Sequence, residues 1–486
     1  MQRILFTAIL VGFVGFSAVA KPKRGPANSG GLGSKIDSIL PNSKDLKVGI
    51  IVTSVDKGDV IFEKNADDLL IPASTNKVFT AYAALKKLKP NATFKTYILI
   101  NAPVSNLVLG GDLYLKGGGD PSLVSERLWM LVNELVRSGI KTVKGNIVVD
   151  ASYYDKVHTP ESRPKYLRDQ AYNAPVGAVS FNFNTTTVYV RPNERAGQAP
   201  VVYTDPENAY IEVVNQATTG KSGSASTLNV NRTEFVKGDI GDTVLLRGSI
   251  PVDGKEQHFY RNIVNPSLYA GHMMKTFLEQ RGIKITGTVK EGSVPAEAKQ
   301  ILEFESQPLW QIIWGMNKFS NNFVADQLLK KLGAEFWGVP GTLEKGVTVV
   351  QDVLADIGIP KSAYEIHDGS GLTRQTHVTA RQITKVLAAA HKDFSLFPEF
   401  ISSLVIAGED GTLKKRFPSS QAEPVQMRAK TGTLDGVSAL AGYTMSEDNE
   451  LLSFAIILND SKQKFGKMSP WIDKIALHFH KYSRTK

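Results

Sequence analysis

Ile71-Pro72-Ala73-Ser74-Thr75-Asn76-Lys77 leads directly into VFTAYAALKKL (78–88). Val78, Phe79, Tyr82, Ala83 and Leu85 recur at helical spacing, and Lys86, Lys87 and Lys89 suit the negative end of a helix dipole. Ser74 and Lys77 are three residues apart at the start of that helix, so they share a face with Cβ atoms roughly 5–6 Å apart. A hydroxyl beside an amine at the positive end of the dipole is the minimum equipment for nucleophilic catalysis. The S-x-x-K pattern is weak alone, because five other pairs carry it: Ser54/Lys57, Ser138/Lys141, Ser162/Lys165, Ser461/Lys464 and Ser483/Lys486. Ser54/Lys57 falls on a strand end and turn, Ser138 at the end of a helix, and Pro164 sits inside Ser162/Lys165.

The 486 residues are enough for two or three domains, and 42% hydrophobic with 21% charged residues is ordinary globular composition. MQRILFTAILVGFVGFSAVA (1–20) has a basic start at Arg3, an apolar run from Ile4 to Phe16 and a small-x-small end at Ala18-Val19-Ala20. This predicts a cleavable secretory signal; the competing reading, an uncleaved anchor, needs a longer apolar run. With no cysteine, neither a lipid-anchored lipoprotein nor a disulfide-stapled fold is expected. Loss of Arg3 with the leader takes the formal charge from +10 to +9, which suits an acidic polymer or plain solubility. An exported protein rarely meets nucleic acid, so no such partner is expected. The eight histidines show no ligand spacing, and neither a metal nor another cofactor is expected.

Along the chain, KPKRGPANSGGLGSK (21–35) reads as a flexible arm, and LKVGIIVTSV with DVIFEKN as a hairpin. From about Thr93 the pattern changes to strands and one amphipathic helix, SERLWMLVNELVRSGI, and residues 178–250 are mostly short β-runs. NPSLYAGHMMKTFLEQRGI restores a helix. The last third holds longer helices and two strand-like runs, VQMRAKTGTLDGVSALAGYTM and LLSFAIILND.

Ser74-Thr75-Asn76-Lys77, Ser320-Asn321-Asn322 and Lys430-Thr431-Gly432 match, in order, the S-x-x-K, S-x-N and K-T-G elements of penicillin-binding proteins and serine β-lactamases. Ser180-Phe181-Asn182 and Lys221-Ser222-Gly223 are alternative second and third elements, only 41 residues apart in the β-rich stretch. The chain resembles most closely the type-4 penicillin-binding proteins, D-alanyl-D-alanine carboxypeptidases and endopeptidases. The resemblance rests on IPASTNKVFTA, GDLYLKGGGDPSL, NAPVGAVSFNFN, NPSLYAG, FSNNFVADQLL, HDGSGLTR and AKTGTLDGVSALAGY, and on the 246 positions between Ser74 and Ser320. One departure is Asn321, where the family commonly has Asp; that position is the variable one.

The resemblance implies an α/β (α+β) fold: an antiparallel sheet flanked by helices, interrupted by two nested domains. The expected division is a signal at 1–20, an arm at 21–35, and a catalytic domain at 36–92 and 296–486. A second domain would span 93–190 and 262–295, with a β-rich third at 191–261. Ser74 is the expected nucleophile and Lys77 its base, which burial and a second cation must depress; Lys430 is the expected neighbour. Ser320 would pass a proton to the leaving amine, and Asn322 would hold Lys77 and substrate. Lys430, Thr431 and Thr433 would bind the substrate carboxylate, and Gly432 would leave room beside the docked peptide. The expected oxyanion hole is the backbone N–H of Ser74 and Thr433. Arg374, Asp169 and Tyr172 resemble positions lining the family's side-chain pocket, against the alternative of surface ion pairing. Implied partners are peptidoglycan peptides and β-lactam antibiotics, met in the periplasm with no stable membrane insertion after leader removal; oligomeric state stays open. The alternatives are a serine β-lactamase, against which the large insertion and the lack of E-x-x-L-N after the serine count, and a catalytically silent cell-wall-binding protein.

Overall fold

The computed structural model describes residues 30–163, 168–237, 240–417 and 424–485. The leader at 1–20, residues 21–29 of the expected arm, and Lys165 and Lys486 of the alternative S-x-x-K pairs lie outside them. The helices are α1 (Gly30–Ile39), α2 (Lys77–Leu88), α3 (Ser125–Arg137), α4 (Pro266–Gln280), α5 (Leu309–Lys318), α6 (Asn322–Trp337), α7 (Leu343–Asp356), α8 (Ala380–Lys392), α9 (Phe397–Ser403) and α10 (Ser469–His480).

A six-stranded sheet runs Val60–Lys64, Lys47–Ser54, Leu451–Asn459, Val437–Met445, Met427–Leu434, Val405–Ile406, with every neighbouring pair antiparallel. Strand 47–54 pairs with strand 451–459 from Lys47↔Asn459 to Ser54↔Leu452, which brings the two ends of the chain together. Side chains alternate between faces with period two. Leu452, Phe454, Ile456 and Leu458 join a core with α1 and α10, while Ala455 and Ile457 face the core built with α2 and α5 to α9. Burial on both faces explains why these strands read as near-continuous apolar runs. The strand-like run expected at 425–445 is a hairpin of strands Met427–Leu434 and Val437–Met445, broken at Asp435-Gly436 with Gly436 at φ 72°.

Between α2 and α5 a second body forms around α3 and α4. Its five-stranded sheet runs Val289–Glu291, Ile147–Asp150, Leu113–Gly117, Lys95–Ile100, Lys299–Glu305. Beyond it strand Thr185–Arg191 pairs with Val201–Asp205 on one side and Gln257–Asn262 on the other.

Two expected boundaries run against these pairings, and a third against helix α1. Residues 299–305, placed in the catalytic domain, are hydrogen-bonded to strand 95–100 of the insertion. A cut at 190/191 would split strand 185–191 from both its partners, so that strand belongs with the β-rich stretch. Residues 30–35, placed in the flexible arm, are the first turns of α1. Leu32, Ile36 and Ile39 fall at i, i+4 and i+7 and pack with Phe454 and Phe479, so an apolar stripe outweighs three glycines.

Ile36 is fully buried in that core. Ile36→Ala is expected to cost about 2–5 kcal/mol, seen as a lower thermal midpoint of the leaderless protein. An unchanged midpoint would return residues 30–36 to the arm.

Candidate active site

The chain enters the site under firm backbone control. Leu70 pairs with Val378, and the side-chain amide of Asn459, the last residue of its strand, accepts from Ile71 N at 2.9 Å and donates to Ile71 O at 3.1 Å. Ala73 then takes φ 47°, a left-handed conformation that a residue with a Cβ holds only under constraint. A single 3-10 turn (Ala73–Asn76) runs into α2, so Ser74 is half-buried on the turn and Lys77 opens the helix with no exposed surface.

Lys77 Nζ lies 2.9 Å from Ser74 Oγ, 2.6 Å from Asn322 Oδ1 and 2.8 Å from the Ser370 carbonyl oxygen. The two carbonyl oxygens can only accept. A neutral amine donates twice and accepts once, and of the three partners only the Ser74 hydroxyl has a proton to give. Burial is the largest influence on this amine, lowering it from 10.5 to about 7; Asp326 and Asp368 pull it upward and Arg163 presses it down. Lys430, also fully buried, is held well below its usual range by burial and then by Lys77. Burial leads on Lys77, with the Arg163 cation added to it; the mutual repulsion of the two lysine amines is seen at Lys430, the one held lower.

Ser320 and Asn322 stand at the break between α5 and α6. Asn321 caps α6 by accepting from Val324 N at 3.1 Å, and Ser320 is turned to φ 56°, the second strained residue of the site. Lys430 Nζ is 2.9 Å from Ser320 Oγ and donates to Thr431 O at 2.9 Å; Thr431 Oγ1 is 2.8 Å from Thr412 Oγ1. Past Ala429 the outer edge of strand 427–434 has no strand beside it among the described residues. Gly432 has a task within the fold itself. A Cβ there would sit 2.6 Å from Pro72 O and 3.1 Å from Thr75 N, so its bareness lets the strand close onto the Ser74 turn. Gly371, at φ 74° and with an added Cβ 1.9 Å from Ala73 O, does the same from the other side.

The structure thus gathers Ser74, Lys77, Ser320, Asn322, Lys430, Thr431 and Gly432. Thr433 is half-buried further along the same strand, paired with Ser438. The softer candidates are spread out. Exposed Arg374 donates to the Asp435 carbonyl at the end of that strand. Asp169 accepts from Gln170 and forms an ion pair with Arg261 at 3.4 Å, both within the insertion. Tyr172 reaches the site through its main chain, its carbonyl accepting from Asn322 Nδ2 at 2.8 Å, while half of the residue is exposed. The alternative motifs are structural: Ser180 donates to Gly177 O, Asn182 pairs with Ser125, and Ser222 and Gly223 bind Asp253 on an exposed loop.

Four functional neighbours are not evident from the motifs. Asp368 accepts from the backbone of Gly371, Leu372 and Thr373 and from Ser370 Oγ, wrapping the turn whose carbonyls take Asn76 Nδ2, Thr80 Oγ1 and Lys77 Nζ. Asp326 and Arg163 form an ion pair buried beneath that turn. The sequence carries a signal for three of the four: Asp326 lies one helical turn after Asn322 in FSNNFVADQLL, and Asp368 and Ser370 sit in HDGSGLTR.

Residues 32–475 match the model of the D-Ala-D-Ala carboxypeptidase 3 (S13) family. A D-alanyl-D-alanine carboxypeptidase of Actinomadura sp. is 33% identical over 446 residues, covering 87% of this chain and 80% of that protein. The crystal structure of penicillin binding protein 4 of Haemophilus influenzae superposes with a TM-score of 0.79 at 25% identity, covering 92% of this chain and 99% of that one. A second structure of the same protein, complexed with a β-lactam, gives a TM-score of 0.74 at the same identity and coverage.

Gly432→Ala is expected to push strand 427–434 off the Ser74 turn, because the atoms it meets are backbone. The expected cost is about 1–3 kcal/mol, read as a fall in denaturation midpoint; an unchanged midpoint would mean the strand is not seated on Pro72.

Proposed function

The chain belongs to the D-Ala-D-Ala carboxypeptidase 3 (S13) family, and on that premise we propose that it hydrolyses D-alanyl-D-alanine peptide bonds of peptidoglycan stems through an acyl-enzyme on Ser74. The observation that carries this reading is the buried Lys77 amine, 2.9 Å from Ser74 Oγ, with the serine as the only one of its three partners able to give it a proton.

Ser74 Oγ attacks the carbonyl carbon of the penultimate D-alanine as its proton passes to Lys77 Nζ. Backbone N–H groups of Ser74 and Thr433 receive the oxyanion, each worth about 2.7–4 kcal/mol in comparable sites. The closeness of Gly432 to Thr75 N supports that pairing, since it lays the strand beside the turn. Collapse breaks the C–N bond, and the departing D-alanine nitrogen takes up the proton that left Ser74, delivered to it by Ser320. Water then attacks the ester carbonyl, Lys77 again taking and returning the proton to Ser74 Oγ.

Substrate lies along the free edge of strand 427–434, where an extended peptide adds as a further strand. Its terminal carboxylate meets Lys430, Thr431 and Thr433; the lysine, held low by burial, gains its charge when the anion arrives. A cross-linked stem presents the same D,D-bond, so endopeptidase activity goes with carboxypeptidase activity. β-Lactams acylate Ser74 by the same attack, as the β-lactam complex of the Haemophilus protein supports. The leader-like start fits a periplasmic place of action, and no helix among the described residues is long and apolar enough to cross a membrane.

Wild type is expected to release D-alanine from a pentapeptide muropeptide and monomers from a cross-linked dimer, and Ser74→Ala to do neither. Covalent labelling of Ser74→Ala by a fluorescent penicillin would overturn the nucleophile assignment. The pH dependence follows from Lys77. Its base form is the neutral one, and its amine is depressed to about 7, so kcat/KM rises with pH through about 7 and falls some tenfold per unit below. A rise only above about pH 9, near an ordinary lysine, would contradict it.

A further inference from the structure

The buried ion pair beneath the active site joins two parts of the chain that the motifs do not. Asp326 is on α6, one turn beyond Asn322, and Arg163 comes from the insertion, as does Tyr172. Both side chains are shut off from solvent, at 0% and 1% exposure. Asp326 Oδ1 accepts from Gly369 N at 2.9 Å and Ser370 N at 3.1 Å, while its other oxygen takes the Arg163 guanidinium. Arg163 also donates to Asn173 Oδ1 at 3.0 Å and to Ser370 Oγ at 3.4 Å. The backbone so gripped is the one whose Ser370 carbonyl accepts from Lys77 Nζ at 2.8 Å.

We propose that Arg163 and Asp326 are positioning residues for the Ser74 reaction: together they pin the Gly369–Ser370 backbone, and through the Ser370 carbonyl they fix where the Lys77 amine sits and which charges face it. The inference rests on the acyl-enzyme reading above. It gives the insertion a part in catalysis. Two residues of the insertion touch the catalytic cluster, Tyr172 by its carbonyl on Asn322 and Arg163 by its guanidinium on Asp326 and Ser370.

The groups facing Lys77 are Asp326 and Asn322 from α6, Asp368 and Ser370 from the turn, Arg163 from the insertion, Ser74 from its own turn, and Lys430 from the sheet. The Asp326 anion holds the Lys77 proton on and the Arg163 cation drives it off, so each masks part of the other. Removing only Asp326 exposes Lys77 to an uncompensated cation and moves the acid limb of the rate profile to lower pH. Removing both charges returns it towards wild type.

The test is the rate constant for covalent labelling of the leaderless protein by a fluorescent penicillin from pH 5 to 9. The variants are Asp326→Asn, Arg163→Lys and the double variant Arg163→Met/Asp326→Asn, with thermal midpoints recorded for each. The acid limb of Asp326→Asn is expected about one pH unit below wild type, that of Arg163→Lys unmoved, and that of the double variant between them. The double variant buries no unpaired charge and is the one that folds if Asp326→Asn does not. Its plateau rate is expected at least about tenfold below wild type, because Ser370 is no longer gripped. Limbs that all coincide with wild type, with plateau rates following the thermal midpoints, would reduce the pair to packing and overturn the inference. Failure of wild type itself to be labelled would instead overturn the acyl-enzyme reading.

Discussion

Everything at this site depends on removing one lysine amine from water. An exposed lysine holds its proton to about pH 10.4 and cannot accept one from a serine. Lys77 escapes that condition because α2 begins inside the protein and its three hydrogen-bonding partners leave the amine no solvent. Desolvation, more than any neighbouring cation, brings the amine down to about 7. The two nearby carboxylates work against this, and the Arg163 cation partly offsets them.

The fold reads as the means of building that enclosure from distant pieces. Strand 47–54 hydrogen-bonds to strand 451–459, and Asn459 at the end of that ladder fixes Ile71. Strand 427–434 is then pressed onto the Ser74 turn through Gly432, and Gly371 closes on Ala73 from the opposite side. Two residues with side chains, Ala73 and Ser320, take left-handed conformations next to the chemistry. Such conformations cost of order 1–3 kcal/mol each and persist only where the surroundings impose them. Here the imposing contacts are the two glycine approaches and the cap that Asn321 gives α6.

The three motif groups and the sheet-and-helix class are legible in the sequence because they are local: a serine one turn from a lysine, an apolar helix face, strands buried on both sides. What escapes is set by contacts between distant segments. Arg163 is bound to Asp326 across 163 positions, and nothing near Arg163 marks it off from the other charged residues of its loop. Asp326 and Ser370 stand inside family-like segments, yet their roles come from whose backbone they hold. Gly432 is recognisable as a close-approach glycine, but the direction of approach is not. The boundaries at 190/191 and 295/296 fail because hydrogen-bonding partners, not composition, decide which sheet a strand joins. Three glycines in 30–35 suggest an arm, although the apolar stripe of Leu32, Ile36 and Ile39 begins in the same stretch.

The central claim, that Lys77 is neutral beside Ser74 at working pH, is open to direct observation. Selective isotope labelling of lysine side chains, with Lys77 assigned by its loss in Lys77→Arg, allows its amine to be titrated by nuclear magnetic resonance in the unacylated protein. The account predicts a midpoint near 7 for Lys77, well below the exposed lysines. A Lys77 resonance that stays in its protonated position up to pH 10 would contradict it.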